Sequence, residues 1–191
     1  MEDNIYDQGG YSFPLDEPSA MPAGHPLEKL FEALVERAFL CGLGLHDSAV
    51  NAYLAHVLVD FTHMRRLYKV RDLSGRPLSE VADMLLEADI RLNATSFNRE
   101  REVHKHIGDF TLFWTGIFPD ALPRMQSAAH KDQLIDYVEQ GKSSYAIAAS
   151  HDYGAYQAES GVLKRLSSEF EVCMLGLNLV RSEMNKLPMM S

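Results

Sequence analysis

The chain has 191 residues, a formal net charge of −9 and 46% hydrophobic residues. That length suits a single domain, and the apolar fraction is enough for a sizeable core rather than a disordered chain. The acidic balance sets the protein against phosphate backbones, and no long Lys/Arg run reverses it, so nucleic acid is excluded as a general partner.

Residues 1–25, "MEDNIYDQGGYSFPLDEPSAMPAGH", mix Gly, Pro, Asp and Ser without a sustained period. They read as a flexible tail, with Tyr6, Tyr11 and Phe13 available to the body or to a neighbouring subunit. Everything after them, 26–191, reads as one helical domain. Pro26, a favourable first-turn residue, opens a helix predicted over 26–41. Its apolar face is Leu27, Leu30, Phe31, Leu34, Val35, Ala38 and Phe39. Gly42 and Gly44 break it. Asp47 caps a second helix running to Tyr68, faced by Val50, Tyr53, Leu54, Val57, Leu58, Phe61 and Met64. Arg65, Arg66, Lys69 and Arg71 fall near its end, where cations oppose the negative pole of the helix dipole.

Ser79 caps a short helix to about Asp89, with Val81, Leu85 and Leu86 inward. A fourth helix spans 97–118 and stops at Pro119. Its stripe, Val103, Ile107, Phe110, Trp114 and Ile117, is spaced 4, 3, 4, 3. From Phe110 onward it is apolar nearly all round, which predicts that other helices enclose it. A fifth helix covers 131–151, with Leu134, Tyr137, Val138, Tyr145 and Ile147 inward. A long sixth helix, 155–186, carries a seam of Leu163, Leu166, Phe170, Cys173, Leu177, Val180 and Met184. No stretch alternates with period two, so no sheet is expected. The predicted fold is all-α: a bundle of five or six mostly antiparallel helices with a long C-terminal one.

Cys41 and Cys173 both fall in helical apolar stripes and lack zinc-site spacing, which predicts two buried free thiols in a reducing compartment. No basic, apolar leader opens the chain, and the longest apolar run, 38–45, is far too short for a bilayer. A cytoplasmic protein without membrane contact is expected.

Two helices carry imidazoles beside carboxylates at the border of their apolar faces. On the second helix these are His56, Asp60 and His63, spaced 4 and 3. On the fourth they are Glu100 with His104, and Glu102 and His106 with Asp109 on the other border. Convergence of His56, Asp60, His63, Glu100 and His104 would make a divalent-metal site between the two helices. The pattern departs from the di-iron one, because Asp60 to His63 is the only acid-x-x-His pair and its acid is Asp. The plainer reading makes these residues half-solvated and paired along their own helices.

Asp109 sits one turn before the all-apolar half, so if buried it needs donors: an Arg or Lys from another helix, or a Tyr hydroxyl such as that of Tyr145. A structural pairing is the favoured reading over catalysis. Lys142, Ser143, Ser144 and Tyr145 follow no Ser-x-x-Lys or Tyr-x-x-x-Lys order and read as packing.

The run Gly108-Asp109-x-x-Leu112-Phe113-x-x-Gly116-x-Phe118-Pro119, followed by Gly141-Lys142-x-x-Tyr145, resembles a loose group of bacterial all-helical proteins to which no activity is assigned. The resemblance covers about 103–149. It implies a helical fold and a bacterial source, and assigns no role to any residue.

Two functions are therefore expected. The first is a non-enzymatic helical protein acting through self-association or a protein partner, using the sixth-helix seam, the Met-rich end and the aromatic tail. The alternative is a bundle that binds a metal or small molecule at the His/carboxylate set.

Overall fold

His25 and Pro26 start the first helix together: the imidazole Nδ1 accepts the Leu27 N–H at 3.2 Å, and Pro26 needs no partner for the N–H it lacks. The computed structural model describes residues 24–89, 92–94 and 96–187. The tail expected over 1–25 falls outside these apart from Gly24 and His25. Among the described residues the chain is all-α, with nine α-helices and no strand. No helix among them is long and apolar enough to cross a membrane.

In chain order the helices are α1 (Pro26–Arg37), α2 (Ser48–Phe61), α3 (Met64–Leu67), α4 (Val81–Ala88), α5 (Phe97–Ile117), α6 (Leu122–Met125), α7 (Tyr137–Ser150), α8 (Gln157–Ser168) and α9 (Phe170–Met184). Helix α5 is the axis. Helices α4, α7 and α9 pack on it, α8 lies along α7, and α1 pairs with α2 while reaching α9. From Phe110 to Ile117 only Trp114 escapes full burial, as the all-round apolar sequence requires.

Glycines let side chains of neighbouring helices rest on this axis and on α7 and α9. The Tyr145 ring lies where a Cβ on Gly108 would be, 2.6 Å away. The Phe170 ring and the Thr111 hydroxyl do the same at Gly141, each at 2.4 Å. Two knobs thus fix the α5–α7 and α7–α9 crossings.

Several predicted elements are broken by side-chain competition for backbone groups. The second predicted helix ends at Phe61, because the Thr62 hydroxyl donates back to the Val59 carbonyl at 2.6 Å and His63 is extended. Met64, expected inward, is exposed as a result. The fifth begins six residues late, because Asp136 caps Val138 N and Glu139 N. Lys131–Leu134 form a separate 3₁₀ turn, and Leu134 is 90% exposed instead of inward.

The long sixth helix divides at Glu169 into α8 and α9, beside Ser167 and Ser168, whose hydroxyls donate to the Lys142 and Arg165 carbonyls. Its predicted seam is spent inside the molecule as far as Val180: Leu163, Leu166, Phe170, Cys173, Leu177 and Val180 are buried, and Met184 at the end of α9 is exposed. After α1 the chain continues as a π-helical turn, Ala38–Leu43, closed by Gly44 at φ +67. That turn leaves Cys41 exposed, against the expectation of two buried thiols; Cys173 is buried. In α4 Val81 is buried and Leu85 packs on the core as expected, Met84 and Ala88 are buried beside them, and Leu86 faces out.

Candidate functional site

Arg101, Lys105 and Asp109 are spaced four apart on α5, so they rise along one edge of the helix. All three meet partners from other helices. The hydroxyls of Tyr53 (α2) and Tyr145 (α7) both donate to Asp109 Oδ1, at 2.7 and 2.9 Å. Burial pushes the Asp109 carboxyl above its ordinary range, against the pull of Lys105, Lys69 and the two phenols. Burial and then the Asp109 charge push both tyrosines well above theirs, so they stay protonated donors.

One turn back, Lys105 Nζ meets Glu159 Oε1 of α8 at 3.0 Å. Burial opposes the ammonium, but Asp109, Glu159 and Glu102 outweigh it and hold its pKa up. A further turn back, Arg101 is 1% exposed. Its guanidinium reaches Glu159 Oε2 and Glu102 Oε1, each at 2.5 Å, and lies 3.9 Å over the Tyr156 ring. Glu159 thus gives one oxygen to each cation. This chain of donors and acceptors ties α5 to α2, α7 and α8. Glu102 and Glu159 are matched by cations and Asp109 by two phenol donors, an arrangement suited to holding charge in place rather than moving protons.

His106 lies on the same helix and is fully buried; the Leu67 backbone is a polar neighbour that favours its charged form, without full hydrogen-bond geometry to either ring nitrogen. Its ring packs edge-on against Phe61, with centroids 5.7 Å apart. Burial, reinforced by Lys69, holds its pKa well below the ordinary histidine value, so the ring is neutral.

The five residues expected to converge on a metal fall into two separate groups. Glu100 and His104 are brought together with α7: His104 Nδ1 lies 3.3 Å from the Ser144 hydroxyl, and Glu100 Oε2 lies 3.4 Å from His151 Nε2. His56 and Asp60 pair along α2 at 3.6 Å, where Arg66 also reaches Asp60 at 3.4 Å. His63 has left the helix and contacts the Thr62 hydroxyl at 3.0 Å. Among the described residues no three His, Cys, Asp or Glu side chains are grouped as a metal site requires. Two causes separate the groups. Helix α2 stops before His63, and the Glu100 edge of α5 faces α7 rather than α2.

His104 is also more buried than the half-solvated border residue expected, and burial lowers its pKa. The tyrosine pairing foreseen for Asp109 is present through Tyr145. Tyr53, Lys105, Arg101 and Glu159 were not foreseen as its network. The i, i+4, i+8 series on α5 was the available signal. Comparison with protein-family models, with curated proteins and with solved structures finds no match to this chain.

Proposed function

We propose that this protein is a non-enzymatic helical bundle that acts by association, first of all with a second copy of itself. The observation that carries this reading is a set of exposed leucines beside the contact of α1 and its π-turn with α9. Arg37 and Glu183, 3.6 Å apart, set the end of α1 beside the end of α9. Along this contact Leu40, Leu45, Leu175 and Leu187 are each more than two-fifths exposed. Exposed large apolar side chains that lie together mark interaction surfaces, and these four leucines belong to the π-turn, to α9 or to the residues just after them. Arg37 and Glu183 also supply both signs of charge, as a self-complementary two-fold interface needs. The interior network supports the same reading, because its ionisable groups are engaged with one another.

Light scattering across a concentration series tests it. The expected result is a mass rising to twice that of the 21.5 kDa chain, and a return to monomer in Leu40→Glu/Leu175→Glu. A monomer at every concentration overturns self-association. A monomer that elutes with another protein from its own cell extract, and loses it in the double variant, moves the reading to a partner.

A further inference from the structure

A cleft of about 210 Å³ opens where α4, α5, α6 and the start of α7 meet, on other elements than the exposed leucines. Its walls are apolar and aromatic: Tyr68, Trp114, Met125 and Tyr137. An apolar cavity of about 150 Å³ already accepts a benzene ring, so this one has room for a single ring with a small polar substituent.

The polar groups of the cleft divide sharply by what they still lack. Its carboxylates are committed. Asp132 accepts from Val81 N at 2.9 Å, Ala82 N at 2.8 Å and the Tyr137 hydroxyl at 2.5 Å. Glu80 is held by His130 Nδ1 at 3.0 Å and by Lys131 N at 3.3 Å. Because Asp132 caps α4, the helix end is closed to an anion. Besides the Tyr68 and Ser79 hydroxyls and the His130 ring, which can donate or accept, the groups left over are donors. The Trp114 indole N–H is shielded from solvent and has no partner. The exposed Arg124 guanidinium at the rim makes no ion pair among the described residues. The shielded Trp114 N–H lies out of a ligand's reach, so the polar contact falls to Arg124 at the mouth. The aromatic walls would also suit an organic cation, and the Arg124 charge at the mouth is what weighs against one.

We propose that this cleft binds a small single-ring aromatic carboxylate, its ring held by the aromatic walls around Trp114 and its carboxylate accepting from Arg124. Apolar walls supply affinity, and the arginine supplies the choice of an acid over a base or a neutral ring.

Trp114 is the only tryptophan of the chain, so its emission reports on the cleft directly. The full-length protein is titrated with sodium benzoate, benzyl alcohol and benzyltrimethylammonium chloride, and calorimetry in parallel registers any binding that leaves the emission unchanged. Expected are saturable benzoate binding, about tenfold weaker binding in Arg124→Gln, and no saturation by the ammonium salt. Arg124 is exposed, so its variant keeps the fold, which circular dichroism verifies. Absence of saturable benzoate binding by both methods overturns the proposal. So does equal affinity in Arg124→Gln, or tighter binding of the ammonium or the alcohol.

Discussion

The phenols of buried Tyr145 and half-buried Tyr53 share one oxygen of Asp109, so the side chain at that position sets their fate. Asp109→Leu leaves the Tyr53 and Tyr145 hydroxyls without an acceptor in the interior. At about 1–3 kcal/mol for each orphaned group, partly offset by loss of a buried charge, the net cost is about 2–3 kcal/mol. Asp109→Asn keeps a carbonyl oxygen in place and is expected to cost about 1 kcal/mol. Urea unfolding of the two variants checks the order; a leucine variant as stable as the parent would show that the pair contributes nothing.

His106 behaves in the opposite sense, because burial and the nearby Lys69 charge disfavour its protonated form. Its folded-state pKa is depressed, so the unfolded chain takes up a proton below about pH 6.5 that the folded chain refuses. Stability is therefore full above that pH and is lost as pH falls; buried His104 adds to the same slope. His106→Leu is expected to be neutral or stabilising by up to about 1 kcal/mol at pH 7 and to flatten the decline between pH 6.5 and 5. Melting temperatures across that range decide it, and an unchanged slope would count against a buried neutral imidazole.

Among the elements, space at helix crossings outweighs helix propensity. Replacing a mid-helix glycine by alanine gains up to about 1 kcal/mol when nothing else changes. Gly161 on α8 has no atom within 4 Å of the added carbon, so Gly161→Ala is expected to stabilise. Gly141 on α7 has the Phe170 ring and the Thr111 hydroxyl at 2.4 Å, so Gly141→Ala is expected to lose about 1–3 kcal/mol through overpacking. Opposite shifts in melting temperature for the pair confirm the argument, and shifts of the same sign refute it. Helix α4 shows the same dependence on distant residues. Its start was assigned to Ser79 on local grounds, yet its amides are held by Asp132, fifty residues further on.

For the molecule as a whole, charge and apolar surface pull in different directions. A net charge of −9 on each copy opposes approach at long range. Association through leucines is therefore expected to strengthen as salt screens that repulsion. The two thiols give a direct measure. Cys173 is buried, its thiol pushed up to about 12, mainly by burial, so it is inert in the native fold. Cys41 is exposed in the π-turn beside Leu40. One native thiol is expected to react with a maleimide, more slowly at high protein and salt concentration. Two adducts on the folded chain would contradict the placement of Cys173, and a rate independent of concentration would contradict association through this surface.

The all-α class, the stripe of α5, the cap at Asp47 and the enclosure of the Phe110–Ile117 half were legible in the sequence. Each follows from a local period or a local hydrogen bond, which a chain carries with it wherever it folds. The donors available to Asp109 were half legible: the need for a phenol followed from its position, and Tyr145 was among those considered. Tyr53, which is 56 residues away, became its second partner only when α2 and α7 closed on the same side of α5. The scattered metal set has the same cause. Spacing along one helix places side chains on an edge, but only the packing of α5 against α7 decided that Glu100 and His104 meet His151 and Ser144, and not His56 and Asp60. The burial of the sixth-helix seam, the exposure of Cys41 and the cleft at Trp114 were likewise decided by tertiary structure, because each depends on which helix covers which face.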